Sequence, residues 1–163
     1  MFKHILMPTD GSEHSERAIK RGIELAKLCG AEVTGIHVVQ DFRLMGATDE
    51  WMSDAVMDER VQEEGRASAA RFLAFVQQTA DAAGVACNTV VATNAHPYDA
   101  IVDTANKRGC DLIVMTARYR KGLVSLMIGD EASRVLHRAS IPVLVFRALM
   151  SADHPHRPQA HPY

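Results

Sequence analysis

A doubly wound α/β domain is the expectation for this chain, and three features of its sequence carry it. Short apolar runs alternate with stretches of helical period. Glycines stand where those helical stretches should stop. The apolar runs are largely continuous, which suits strands covered on both faces. In order the elements are β-α-β-α-β-α-β-α-β; strands linked by helices imply a parallel sheet, and right-handed crossovers restrict it to a doubly wound one.

Ile5-Leu6-Met7 is the first apolar run, and the breakers Pro8, Asp10 and Gly11 turn it into a strand that ends in a loop. Ser12 or Asp10 can cap the next helix, whose Ile19, Ile23 and Ala26 recur at helical spacing before Gly30 stops it. Residues 31–39, AEVTGIHVV, are rich in β-formers and give a second strand. The loop over 40–52 carries Phe42, Leu44, Met45, Trp51 and Met52. Together with Met57, its methionines and tryptophan suit core packing or a cap over a pocket or partner surface. A long helix follows, with Met57, Val61, Phe72, Phe75 and Val76 as apolar contacts. Gly65 weakens its middle by about 1 kcal/mol relative to alanine. Gly84 ends that helix, and Val85–Thr93 is the third strand.

Pro97 suits the first turn of a third helix in which Ile101, Val102 and Ala105 face inward. Lys107, Arg108 and Gly109 close it with the cations and glycine a C-terminus favours. Leu112–Met115 is the fourth strand. A basic loop, Arg118-Tyr119-Arg120-Lys121-Gly122, leads to a helix from near Asp130, and Ile141–Phe146 is the fifth strand.

Composition narrows the class. The 163 residues are 47% hydrophobic and 23% charged, enough for one globular domain over residues 1–148. Eighteen Lys+Arg against twenty Asp+Glu leave a net charge of −2, so no nucleic-acid partner is expected. Cys29, Cys87 and Cys110 lack metal or disulfide spacing and read as small core residues in a reducing compartment. The N-terminal apolar run is too short for a signal peptide, and no stretch nears the ~20 apolar residues of a membrane helix. A cytoplasmic protein with no membrane partner is the expectation. Residues 149–163 hold three of the six prolines and three of the eight histidines, and read as a flexible tail. His154, His156 and His161 there suit either solvent or a metal ion.

In an open α/β sheet, ligands bind beyond the C-terminal ends of the strands, where the strand order reverses. For the Rossmann-like order 3-2-1-4-5, the first and fourth strands flank that point. Loops 8–12 and 116–130 then face one crevice. Its candidate residues are Pro8, Thr9, Asp10, Val38, Met115 and Thr116.

PTDGSEHSERA after the first strand, HVV ending the second, HPYDAIVDTANKRGCDLIVM in the second half and SIPVLVFR at the end resemble the universal stress protein family. The resemblance runs from residue 2 to about residue 147. It implies an adenine-nucleotide-hydrolase-like fold with a nucleotide-type pocket, taking ATP or another adenine nucleotide, with or without Mg²⁺. It places the ribose on Asp10 and the adenine on the backbone near Val38, with Pro8 and Thr9 alongside. It also implies a homodimer joined through the last strand, Ile141 to Phe146, whose apolar edge would otherwise be an aggregation hazard.

The family's phosphate loop, G-x2-G-x9-G-[ST], falls on Thr116, Tyr119, Gly129 and Asp130, and only Gly129 keeps the pattern. Thr116 and Tyr119 add Cβ atoms where a backbone cradle needs close approach. Asp130 and Glu131 set carboxylates at a helix N-terminus, where each repels a nearby phosphate by roughly 1 kcal/mol even when solvated. Arg118, Arg120 and Lys121, or a bridging Mg²⁺, can offset that repulsion.

Plainer readings stand beside these. Asp10 suits a helix cap, Tyr119 and the basic loop suit solvent, and His37 suits the core. Neither GxxxxGK[ST] nor GxGxxG occurs, and no nucleophile–base pair is apparent. No catalytic residue or metal ligand is therefore assigned, and the chain does not read as an enzyme. Three functions compete: a stress-response or signalling module responsive to a small ligand, a structural dimer or interaction protein with a vestigial pocket, and a slow Mg-dependent ATP hydrolase.

Overall fold

The computed structural model describes residues 1–40, 55–117 and 130–147. Within them the chain runs β1 (His4–Pro8), α1 (Glu13–Cys29), β2 (Glu32–Gln40), α2 (Ala55–Ala83), β3 (Cys87–Asn94), α3 (Pro97–Arg108), β4 (Leu112–Ala117), α4 (Asp130–Arg138) and β5 (Val143–Arg147). The strands form one parallel sheet in the order β3-β2-β1-β4-β5. The expected topology is the one found.

Side-chain alternation sorts the core into two layers. Ile5 and Met7 of β1, Val33 of β2, and Leu112 and Val114 of β4 face α1 and α2, meeting Ile19, Ile23, Val76 and Ala80. Leu6, Ile36, Ile113, Met115 and Ala117 point the other way, onto Ile101, Val102 and Ala105 of α3 and Ala132 and Val135 of α4. At Gly35 α2 packs so close that an added Cβ would lie 2.9 Å from Val76. Cys29 and Cys87 pack on the first layer and Cys110 is buried in the second, as small core residues should.

Helix ends follow the sequence. Gly30 and Gly109 both take the left-handed conformation as C-caps (φ 66° and 67°), with their N–H groups returned to the last turn. The third and fifth strands begin later than their β-propensity suggests, at Cys87 and Val143. Val85 is drawn into the end of α2, where its N–H donates to the Ala80 carbonyl at 2.9 Å and its side chain is buried. Asp111 ties the sheet's centre together before β4. Its carboxylate accepts the Lys3 and His4 N–H groups at 2.8 and 3.1 Å.

Several sequence features lie outside the described residues. They are the 40–52 loop from Asp41 onward with Met45, Trp51 and Met52, the side chains of Met57 and Val61, the basic loop with Arg118, Tyr119, Arg120 and Lys121, Gly129, and the tail with its three histidines.

Candidate functional site

The loop leaving β1 is built by short polar residues that bond to one another. Thr9 extends the ladder one step past β1, donating its N–H to the Ile36 carbonyl at 2.9 Å. Its buried hydroxyl lies 3.2 Å from Ser15 Oγ and accepts the Gly11 N–H at 3.2 Å. Of the two candidate caps, Ser12 is the N-cap of α1, its Oγ accepting the Ser15 N–H at 3.2 Å. Asp10 instead accepts the Ser12 N–H at 3.0 Å, an Asx turn that leaves its side chain at the exposed rim. Gly11 between them has φ +72°, a conformation side chains disfavour. The Phe72 ring of α2 sits where its Cβ would be, within 2.0 Å.

His37 braces this loop from β2. Its Nδ1 is 2.8 Å from the Thr9 carbonyl oxygen, which only accepts, so Nδ1 carries the proton. The ring also meets Phe72 edge-on at 5.2 Å between centroids. The ring is half-buried and its Nδ1 is satisfied.

Register brings the strand ends level. Pro8 pairs with Ile36, so Asp10 stands abreast of Val38. Leu6 pairs with Ile113, which sets Pro8 and Thr9 abreast of Met115 and Thr116. Met115 is buried, its side chain in the α3/α4 layer; half-buried Thr116 points to the α1 side. Val38 is half-buried against the α3/α4 layer. Asp130 opens α4 and Glu131 is its second residue; the side chain of Asp130, with Tyr119 and Gly129, lies outside the described residues.

Two further side chains stand near the starts of helices, His14, which the motif does not single out, and Glu131, named already for its charge. His14 is the second residue of α1, and Glu131 has the same place in α4. These helices follow the two strands that flank the switch point. His14 Nδ1 and Glu131 Oε1 are both buried without a hydrogen-bond partner among the described residues. A buried polar atom left so costs about 1–3 kcal/mol, which a shift of the side chain toward a ligand's donor or acceptor would relieve. Position after the strand was the only sequence signal for His14. Phe72 was legible as an apolar contact of its helix but not as the lid over Gly11. On the α2 side of the loop, Thr9, Gly11, Glu16, Arg71, Phe72 and Phe75 line a cleft of about 320 Å³.

A sheet of this order, with polar loop residues gathered where it reverses, defines a doubly wound, Rossmann-like α/β domain. The chain belongs to the universal stress protein family, whose model matches residues 1–147. A universal stress protein of Methanocaldococcus jannaschii is 36% identical over 147 residues, covering 90% of this chain and 83% of that protein. Universal stress protein YxiE of Bacillus subtilis is 30% identical over 152 residues, covering 90% of this chain and all of its own length. Among solved structures, a second M. jannaschii protein superposes with a TM-score of 0.69 at 24% identity, over 93% of this chain and 99% of that one. Two others are a family member in complex with cAMP (TM-score 0.61, 23% identical, 89% and 97% covered) and one from Archaeoglobus fulgidus in complex with dAMP (TM-score 0.62, 20% identical, 89% and 97% covered).

Proposed function

We propose that this chain is a stress-response module governed by occupancy of the β1–β4 crevice, and that the occupant is an adenine nucleotide carrying one phosphate. What supports this reading is a pair of buried atoms that have no hydrogen-bond partner among the described residues, His14 Nδ1 and Glu131 Oε1, at the first turns of α1 and α4. Asp10 is set at the rim to take ribose hydroxyls, and the β2 backbone near Val38 to take adenine. Carboxylates at the start of α4 oppose a triphosphate more than a monophosphate, because repulsion grows with each added charge. The cAMP and dAMP held by two solved relatives support a ligand of that size.

Thermal unfolding in the presence of AMP, cAMP and Mg-ATP tests the proposal, since a ligand that binds only the folded chain raises Tm with its concentration. AMP or cAMP should raise Tm at millimolar concentration and Mg-ATP should do so less. No shift with any of the three would overturn it.

A two-fold homodimer through β5 is the second reading. This strand closes one end of the sheet, and Leu144 on it is exposed despite its apolar side chain. Sedimentation should give a dimer at micromolar concentration, and Leu144→Lys should shift it toward monomer. A wild-type monomer would refute this reading.

A further inference from the structure

We propose that the cleft between α3 and α4 is a second ligand site, which binds a phosphoryl group between Arg134 and Arg138. The cleft is about 270 Å³ and is lined by Tyr98, Ser133, Arg134, His137 and Arg138. Its cationic wall is one stripe of α4, because residues 134, 137 and 138 share a helix face. The facing wall is the first turn of α3.

The two guanidinium groups converge on one aromatic ring. Arg134 lies over the Tyr98 ring at 5.2 Å and Arg138 over the same ring at 5.5 Å. His96 stacks on that ring at 5.5 Å and 27°, fixing it in turn. Two like charges brought to one ring repel, so their convergence needs a counter-charge. Asp99 supplies one carboxylate, 3.1 Å from Arg138 Nε. Arg134 has no carboxylate partner among the described residues. Among the described side chains, two guanidinium charges face one carboxylate there.

Phosphoryl chemistry fits that balance better than a carboxylate. Its charge of about −1.5 to −2 meets both arginines, and its three oxygens suit the paired N–H groups of guanidinium forks. Asp99 meets Arg138 at Nε, on one edge of a guanidinium that carries five N–H donors. The Ser133 hydroxyl adds a donor. His137 Nδ1 is 2.8 Å from the Ser133 carbonyl, which orients the imidazole on the same wall. The cleft lies on the α3/α4 face of the sheet, and Asp10 does not line it; its Arg134 stands three residues beyond Glu131 on α4. If the arrangement only clipped α3 to α4, its cations would bind no anion specifically.

The test is an NMR titration of the full chain with inorganic phosphate, then glycerol phosphate, with sodium chloride at matched ionic strength as the control. Saturable shifts at Ser133, Arg134 and Arg138 are expected with both phosphates and not with chloride. Arg134→Gln should weaken binding about tenfold or more, Arg134→Lys less, and Asp10→Ala not at all. Tighter binding of glycerol phosphate would identify a phosphorylated molecule as occupant, and equal binding the free anion. Shifts that chloride reproduces, or that persist unchanged in a folded Arg134→Gln, would overturn the proposal. So would the absence of shifts in the wild type.

Discussion

Replacing Gly11 by alanine perturbs the loop that presents Asp10 in two separable ways. The backbone there has φ +72°, and holding a side-chain-bearing residue in that region costs roughly 1–2 kcal/mol. The new Cβ would also lie within 2.0–2.3 Å of three atoms of the Phe72 ring. That ring is half-buried and meets His37 edge-on, so it moves only by giving up packing on α2, an overpacking cost of about 1–3 kcal/mol. The sum is about 2–5 kcal/mol, read as a lower urea midpoint at unchanged slope. Phe72→Ala in the same background separates the two terms. The clash disappears in the double variant while the backbone strain stays, so the pair should couple favourably by about 1–3 kcal/mol. A single variant within about 0.5 kcal/mol of wild type would refute the argument, as would strict additivity of the two substitutions.

Further consequences concern the sheet and its thiols. Gly35→Ala would set a Cβ 2.9 Å from Val76 and should destabilise by about 1–3 kcal/mol, with recovery when Val76→Ala is added; chemical denaturation measures both. The Asp111 carboxylate is pushed up by burial, but the Lys3 and His4 N–H groups pull it further down, to below its ordinary value. A depressed carboxylate stabilises above the unfolded value of about 3.9 and loses that contribution as pH falls through the folded value. Asp111→Asn should therefore cost about 1 kcal/mol at neutral pH, and the gap should close on acidification below about pH 4; a gap that is flat with pH would contradict the assignment. Burial, followed by the nearby Asp111 charge, raises the Cys110 thiol to about 11, so alkylation at neutral pH should label it only after unfolding. Rapid labelling of folded protein would contradict its place in the core.

The fold was legible because its strands and helices signal independently. Ile5-Leu6-Met7 and Leu112–Met115 are continuous apolar runs, and Gly30 and Gly109 mark helix ends that tertiary packing did not need to override. Boundaries were less legible where two structures compete for one residue. Val85 has the propensity of a strand but completes the end of α2, because its N–H meets the Ala80 carbonyl first.

The candidate site was readable only along the chain. Asp10, Val38 and Thr116 stand at strand ends, and the sheet order brings those ends level. Phe72 over Gly11 and the stack of His96, Tyr98 and two arginines join residues of different elements. No periodicity encodes such contacts. Nor does the identity of His14 or Glu131 announce a buried atom that lacks a partner.

Calorimetric titration with AMP and with Mg-ATP, for the wild type and for Asp10→Ala, decides what the β1–β4 crevice binds. Saturable AMP binding, weaker Mg-ATP binding, and loss of most of the AMP affinity in the variant are expected. Mg-ATP binding tighter than AMP, or AMP affinity untouched by Asp10→Ala, would contradict the proposed occupant.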